Sequence, residues 1–118
     1  HLTIPDRVEV YEINGPYFFG IANKFDDVMA GMKDVPAVRI IRMRKVPFID
    51  STGMHNLENL IAVSHNNGID VVLSGVNDKV KSVLVKNGFE KLLGVGNICA
   101  NINEALRVAQ GYDENKQK

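Results

Sequence analysis

The hydrophobic pattern of this chain switches repeatedly between a strand period of about 2 residues and a helix period of about 3.6. Val8, Val10 and, after Tyr11, Ile13 give an alternating run in "VEVYEI", which reads as a strand. Asn14-Gly15-Pro16 is a turn signal, and "YFFG" at 17–20 offers a second short strand, so an N-terminal hairpin is expected. Ile21, Phe25, Val28, Met29 and Met32 then lie on one helical face, with Pro36 beyond its end. "AVRIIRMRKVPF" returns to a strand, which should finish before Pro47. Met54, Leu57, Leu60 and Ile61 form the next helical face, closed by Asn66-Asn67-Gly68.

"IDVVLSG" is a buried strand, and a helix on Val80, Val83 and Leu84 follows, capped by Asn77 or Asp78 and stopping at Asn87-Gly88. A short apolar segment at 98–100 precedes a helix on Ile102, Ala105, Leu106 and Ala109. Such alternation implies an α/β fold with a mixed, mostly parallel sheet of about four or five strands and about four helices. Residues 1–7 read as a lead-in, 8–110 as the domain, and 111–118 ("GYDENKQK") as a polar tail that should fray.

A chain of 118 residues fits one domain with a self-standing core. Fourteen basic and 14 acidic residues cancel, which argues against a dedicated nucleic-acid binder. The lone Cys99 permits no internal disulfide and suits a reducing compartment. No apolar run is long enough to span a membrane, and no signal peptide is visible. The chain opens on His1 where a methionine would be ordinary, so a piece of a longer protein is expected, with His1 a tag remnant.

The stretch "RKVPFIDSTGMHNL" at 44–57 places Asp50, Ser51, Thr52 and Gly53 between a strand and a helix. In open α/β sheets that rim is where ligands and partners are met. Ser51 or Asp50 can accept from the free N–H groups of the first helical turn, so one reading is a cap. The same N–H groups and the helix dipole favour a negative group, so a phosphate on Ser51 is the second reading. Gly53 lets another backbone or a ligand approach closely.

"VPFIDSTGMHNL", after a strand and before a helix, resembles the hallmark of STAS domains, named for sulfate transporters and anti-sigma factor antagonists. The upstream "VEVYEINGPYFFGIANKF" and the basic "VRIIRMRKVPFIDSTG" are similar to the SulP transporter branch. The resemblance covers about Val8 to Ala109. It implies the cytosolic C-terminal domain of a membrane anion transporter, at the inner face of the membrane and without a transport path of its own. It implies regulation or recruitment through protein contacts, with the parent's transmembrane domain, cytosolic regulators or a second STAS copy as partners. Weak nucleotide binding has been suspected in the family. In the soluble antagonists the serine after the aspartate is phosphorylated. Ser51 stands at that position, with Asp50, Thr52 and Gly53 matching its neighbours. The transporter branch often lacks that serine.

Arg39, Arg42, Arg44 and Lys45 cluster before the motif. Arg42, Arg44 and Lys45 read either as an anion or acidic-lipid patch or as the solvated face of an edge strand. "GVNDK" at 75–79 should lie beside the Asp50 loop, where Asn77 and Asp78 either cap a helix or share a contact surface with Ser51. "LGVGN" at 93–97 lacks the lysine and hydroxyl of a phosphate loop and reads as a turn. His55 and His65 have no metal-ligand spacing, Cys99 reads as a buried small hydrophobe, and Phe18, Phe19, Met29 and Met32 as core. No catalytic constellation and no cofactor site emerges.

The first expectation is therefore a transporter's regulatory domain acting through the Asp50–Gly53 loop. The alternatives are a free-standing antagonist switched at Ser51, and a nucleotide-binding module at the same rim.

Overall fold

The computed structural model describes residues 7–14 and 36–116. The expected hairpin partner at 17–20 and the helix on Ile21 to Met32 lie outside the described residues, as do Phe18 and Phe19. Strand β1 (Val8–Asn14), strand β2 (Val38–Lys45), helix α1 (Ser51–Asn66), strand β3 (Asp70–Ser74), helix α2 (Asp78–Lys86), short helix α3 (Phe89–Leu93) and helix α4 (Ile102–Lys116) follow in that order. The strands form a parallel sheet in the order β1-β2-β3. Val8 sits opposite Val38, and Val38 opposite Asp70. The apolar segment near residue 98 adds one parallel bridge, Leu73 to Ile98, and no longer strand. It is cut short because Asn101 caps α4, its Oδ1 accepting from the Glu104 N–H at 2.9 Å.

Alternate side chains of each strand face opposite layers. Ile41, Met43, Val71 and Leu73 pack with Leu57, Leu60 and Ile61 of α1, Val80 and Leu84 of α2, and Phe89 and Leu93 of α3. Val38, Ile40 and Val72 pack with Ala105 and Ala109 of α4. The two alanines let that helix lie close against the other face. Helix α1 ends as its sequence predicts: Gly68 N–H donates to His65 O at 3.0 Å and Ile69 N–H to Ser64 O at 2.9 Å.

Two expectations fail here. Strand β2 is hydrogen-bonded on both sides, so its basic residues do not guard an edge. Arg39 in particular is 0% exposed. Its Nε donates to Glu9 Oε2 at 3.0 Å and its Nη1 to Ser64 Oγ at 2.6 Å. Ser64 passes the bond on to Leu60 O at 2.9 Å, and the guanidinium lies 5.8 Å from the Tyr11 ring centre. One charge thereby ties β1, β2 and α1 together inside the apolar layer. Burial and the neighbouring Glu9 carboxylate push the Tyr11 phenol upward from its ordinary value.

The second failure is the tail. Helix α4 runs through Gly111 as far as Lys116. Asp113 is buried beside Arg7, with the charged atoms 4.0 Å apart. Lys116 Nζ reaches Ala37 O at 2.6 Å, Gly68 O at 2.8 Å and Asp70 Oδ2 at 2.9 Å. Asp113 and Lys116, two of the polar residues that suggested fraying, are held by groups at the starts of three strands.

Truncating one partner of a buried charge pair leaves the other uncompensated. Glu9→Ala should therefore destabilise the domain by on the order of 3 kcal/mol. Urea unfolding followed by circular dichroism measures this, and a loss within error of zero would contradict the role given to Arg39.

Candidate functional site

The β2–α1 connection brings the Asp50 loop to the carboxyl end of the sheet. Asp50 has extended backbone angles, φ −105° and ψ −175°, and its Oδ1 accepts from the Gly53 N–H at 2.8 Å. Met54 N–H donates to Asp50 O at 2.9 Å, the first intrahelical bond. Asp50 is thus the cap, and Ser51 is the first helical residue. Both Ser51 and Thr52 are exposed, and Gly53 is buried. The cap leaves the Ser51 hydroxyl with no hydrogen bond to another described side chain or backbone group.

The β3–α2 connection arrives alongside. Asn77 caps α2, its Oδ1 accepting from the Val80 N–H at 2.7 Å. Its Nδ2 donates to Val46 O and Pro47 O, each at 3.3 Å. One side chain therefore closes a helix and clasps the loop that leads to Asp50. Asp78, the first residue of α2, is exposed beside it. The backbone must also pass close to β2 here. Gly75 has φ +68°, and a Cβ on it would meet Arg44 Cβ and N at 3.0 Å. Only glycine fits that combination without movement of the strand.

Sequence reasoning missed Phe48, which is 42% exposed between Pro47 and the buried Ile49. The available signal was its place after Pro47, outside the strand, where alternation no longer carries a side chain into the core.

The basic residues have a partner that sequence reasoning also missed. Arg42 lies opposite Glu12 in the β1–β2 register. Arg44 Nε pairs with Glu12 Oε1, and Lys45 Nζ lies 3.8 Å from Glu12 Oε2. Arg44 and Lys45 are exposed and Arg42 is partly buried. The hydrogen bond from Arg44 holds the Glu12 carboxyl below its ordinary value of 4.5, and Glu12 raises Arg44 in return. Much of the positive charge at this edge is therefore answered within the chain.

The other singled-out residues stand apart. His55 is exposed on α1, its Nε2 3.4 Å from Asn59 Nδ2. His65 is exposed in the last turn of the same helix. No group of three or more potential metal ligands occurs among the described residues. Cys99 is buried, and desolvation raises its thiol from the ordinary value. The glycines at 94 and 96 belong to a turn held by Asn97, whose Nδ2 meets Val71 O at 3.1 Å and Leu93 O at 2.8 Å. No helix among the described residues is long and apolar enough to cross a membrane.

Together these features define a small α/β domain whose described strands are parallel and whose strand-end rim carries exposed hydroxyls. The chain matches the family model described as "STAS domain" over residues 1–105 and belongs to that family. A sulfate transporter family protein from Wolinella succinogenes is 40% identical, with a TM-score of 0.83 over 96% of this chain and 93% of that one. The SulP transporter STAS domain from Vibrio cholerae is 39% identical, with a TM-score of 0.85 over 96% and 88%. No curated protein matches the chain.

Asp50→Ala should cost about 1 kcal/mol, the usual value of a lost N-cap, whereas Ser51→Ala should stay within about 0.5 kcal/mol of the parent. Denaturant midpoints of the two variants separate the roles. The opposite ranking would make Ser51 the cap. The Glu12 contribution has a definite sign with pH. A depressed folded value means stabilisation that is complete above about 4.5 and lost as pH falls through the folded value. The difference between the parent and Glu12→Gln should therefore be present near neutral pH and fade in strong acid. A difference that grew on acidification would overturn the pairing.

Proposed function

We propose that this chain is the cytosolic C-terminal regulatory and interaction domain of a SulP-type membrane anion transporter, working through protein contacts at the Asp50–Gly53 rim. The observation that carries this reading is the division of labour at the helix start. Asp50 performs the cap, so Ser51 and Thr52 present hydroxyls that the fold itself does not consume. Phe48 supplies an exposed aromatic three residues before Ser51 in the same connection, and Asp78 stands exposed on the adjoining connection clasped by Asn77. An aromatic surrounded by short polar groups has the composition of a protein contact. The likeness to two transporter-family domains, each over most of its length, supports the parentage. The partners are the parent's transmembrane domain and cytosolic regulators, a second STAS copy among the candidates.

A second reading has its own support. Ser51 is exposed at the first position of α1, where a phosphate would meet the positive end of the helix dipole. Phosphate there would add nearly two negative charges beside Asp50 and would change what the rim attracts.

Fractionation of the source cells with an antibody against this domain tests the first reading. The expected band lies in the membrane pellet at several times the mass of the 118-residue chain. A soluble band of domain size overturns it and favours the free-standing module, for which phosphate on Ser51 becomes the measurement.

A further inference from the structure

Three of the exposed large apolar side chains among the described residues gather on one short segment. Val85 is 40% exposed, Leu92 38% and Val95 86%. Val95 sits between Gly94 (φ +111°) and Gly96 (φ +89°), so both of its neighbours hold backbone angles that hinder a side chain. The turn thereby presents one valine to solvent, where it contributes nothing to the core. Val85, Lys86, Gly88, Glu90, Lys91 and Val95 line an open cleft of about 460 Å³ at this place.

The segment from Val85 to Val95 carries Lys86, Lys91 and Glu90, and Lys81 and Glu104 line the neighbouring hollow at Gly96. Lys86 and Lys91 flank the cleft. Neither forms an ion pair with a described residue. Glu90 is the one acid in the cleft lining.

Topology fixes the end of the domain at which the segment lies. Helix α2 starts at the strand-end rim, where Asn77 bonds to Val46 and Pro47. Its 9 residues carry the chain about 13 Å back toward the strand starts. Asn97, just after the Val95 turn, meets the Val71 carbonyl at the beginning of β3. The apolar segment is therefore at the end where Arg7 enters β1, opposite the Asp50 rim.

We propose that this end of the domain rests on an anionic bilayer surface, with Val95 and Leu92 entering the headgroup layer and Lys86 and Lys91 pairing with lipid phosphates. The inference rests on the transporter reading, because membrane helices that precede the domain place the Arg7 end next to the bilayer. Basic side chains around protruding apolar ones are the composition of an interfacial contact. The intrinsic attraction of two lysines is weak, and a tether makes it sufficient by raising the local concentration. The same orientation turns the Asp50 rim toward the cytosol, where partners are met.

The chain has no tryptophan, so Val95→Trp is a clean reporter. The variant is tethered by an N-terminal histidine tag to nickel-chelating vesicles of phosphatidylcholine with or without phosphatidylglycerol. The expected result is a blue shift and reduced iodide quenching on the anionic vesicles. Ala62→Trp, exposed on α1, should not respond. On the tethered Val95→Trp background, Lys86→Gln and Lys91→Gln should each lower the ratio of inserted to free reporter by about fivefold. Unchanged emission of the tethered Val95→Trp variant overturns the proposal, as does a shift that needs no vesicles and follows self-association. The transporter reading fails separately, through a soluble native protein. A membrane-bound native protein with an unresponsive reporter removes only the lipid face.

Discussion

Parallel strands cannot be joined by tight turns, and that constraint organises this domain. A crossover must separate parallel neighbours, so helices cover the sheet and the two described strand-to-helix connections emerge at the same rim. The Asp50 and Gly75–Asn77 connections are neighbours for that reason, although 25 residues separate Asp50 from Gly75 in sequence. Asn77 then makes the neighbourhood specific by bonding to both its own helix and the opposite loop. With the sheet at its centre, the domain has two chemically different ends. One carries hydroxyls and an exposed aromatic, and the other carries lysines around a protruding valine.

The buried Arg39 is the least expected part of the design. A guanidinium in the middle of the sheet is tolerable only because Glu9, Ser64 and the Tyr11 ring surround it. Such an arrangement contributes specificity more than net stability, since an apolar residue of similar size avoids the desolvation cost. It fixes the β1–β2 register from inside, because a slip by one residue would turn Arg39 and Glu9 to the opposite face.

The parts legible in the sequence were those governed by local chemistry. The period of β2, the closure of α1 at Gly68 and the caps before α1 and α2 each depend on residues within a few positions of one another. The unread parts depend on distant partners. Arg39 looked like a surface charge because its carboxylate and its hydroxyl come from residues 30 and 25 positions away. The segment after Gly111 looked like a loose tail because the acceptors of Lys116 lie at Ala37, Gly68 and Asp70. Polarity was read as solvation where it was complementarity. At the rim, the sequence allowed Ser51 or Asp50 to cap, and only the geometry assigned the task to Asp50 and left the hydroxyls available.

The Lys116 ammonium makes the end of α4 a mechanical junction. Its contacts reach the residue that enters β2, the carbonyl of the glycine whose N–H closes α1, and the first residue of β3. A load applied to the end of this helix is therefore divided between two strands of the sheet, and the hydrogen bonds along those strands share it. The Arg7–Asp113 pair leads part of the same load to the start of β1. Force entering at the last turn of α4 is thereby spread over the described sheet.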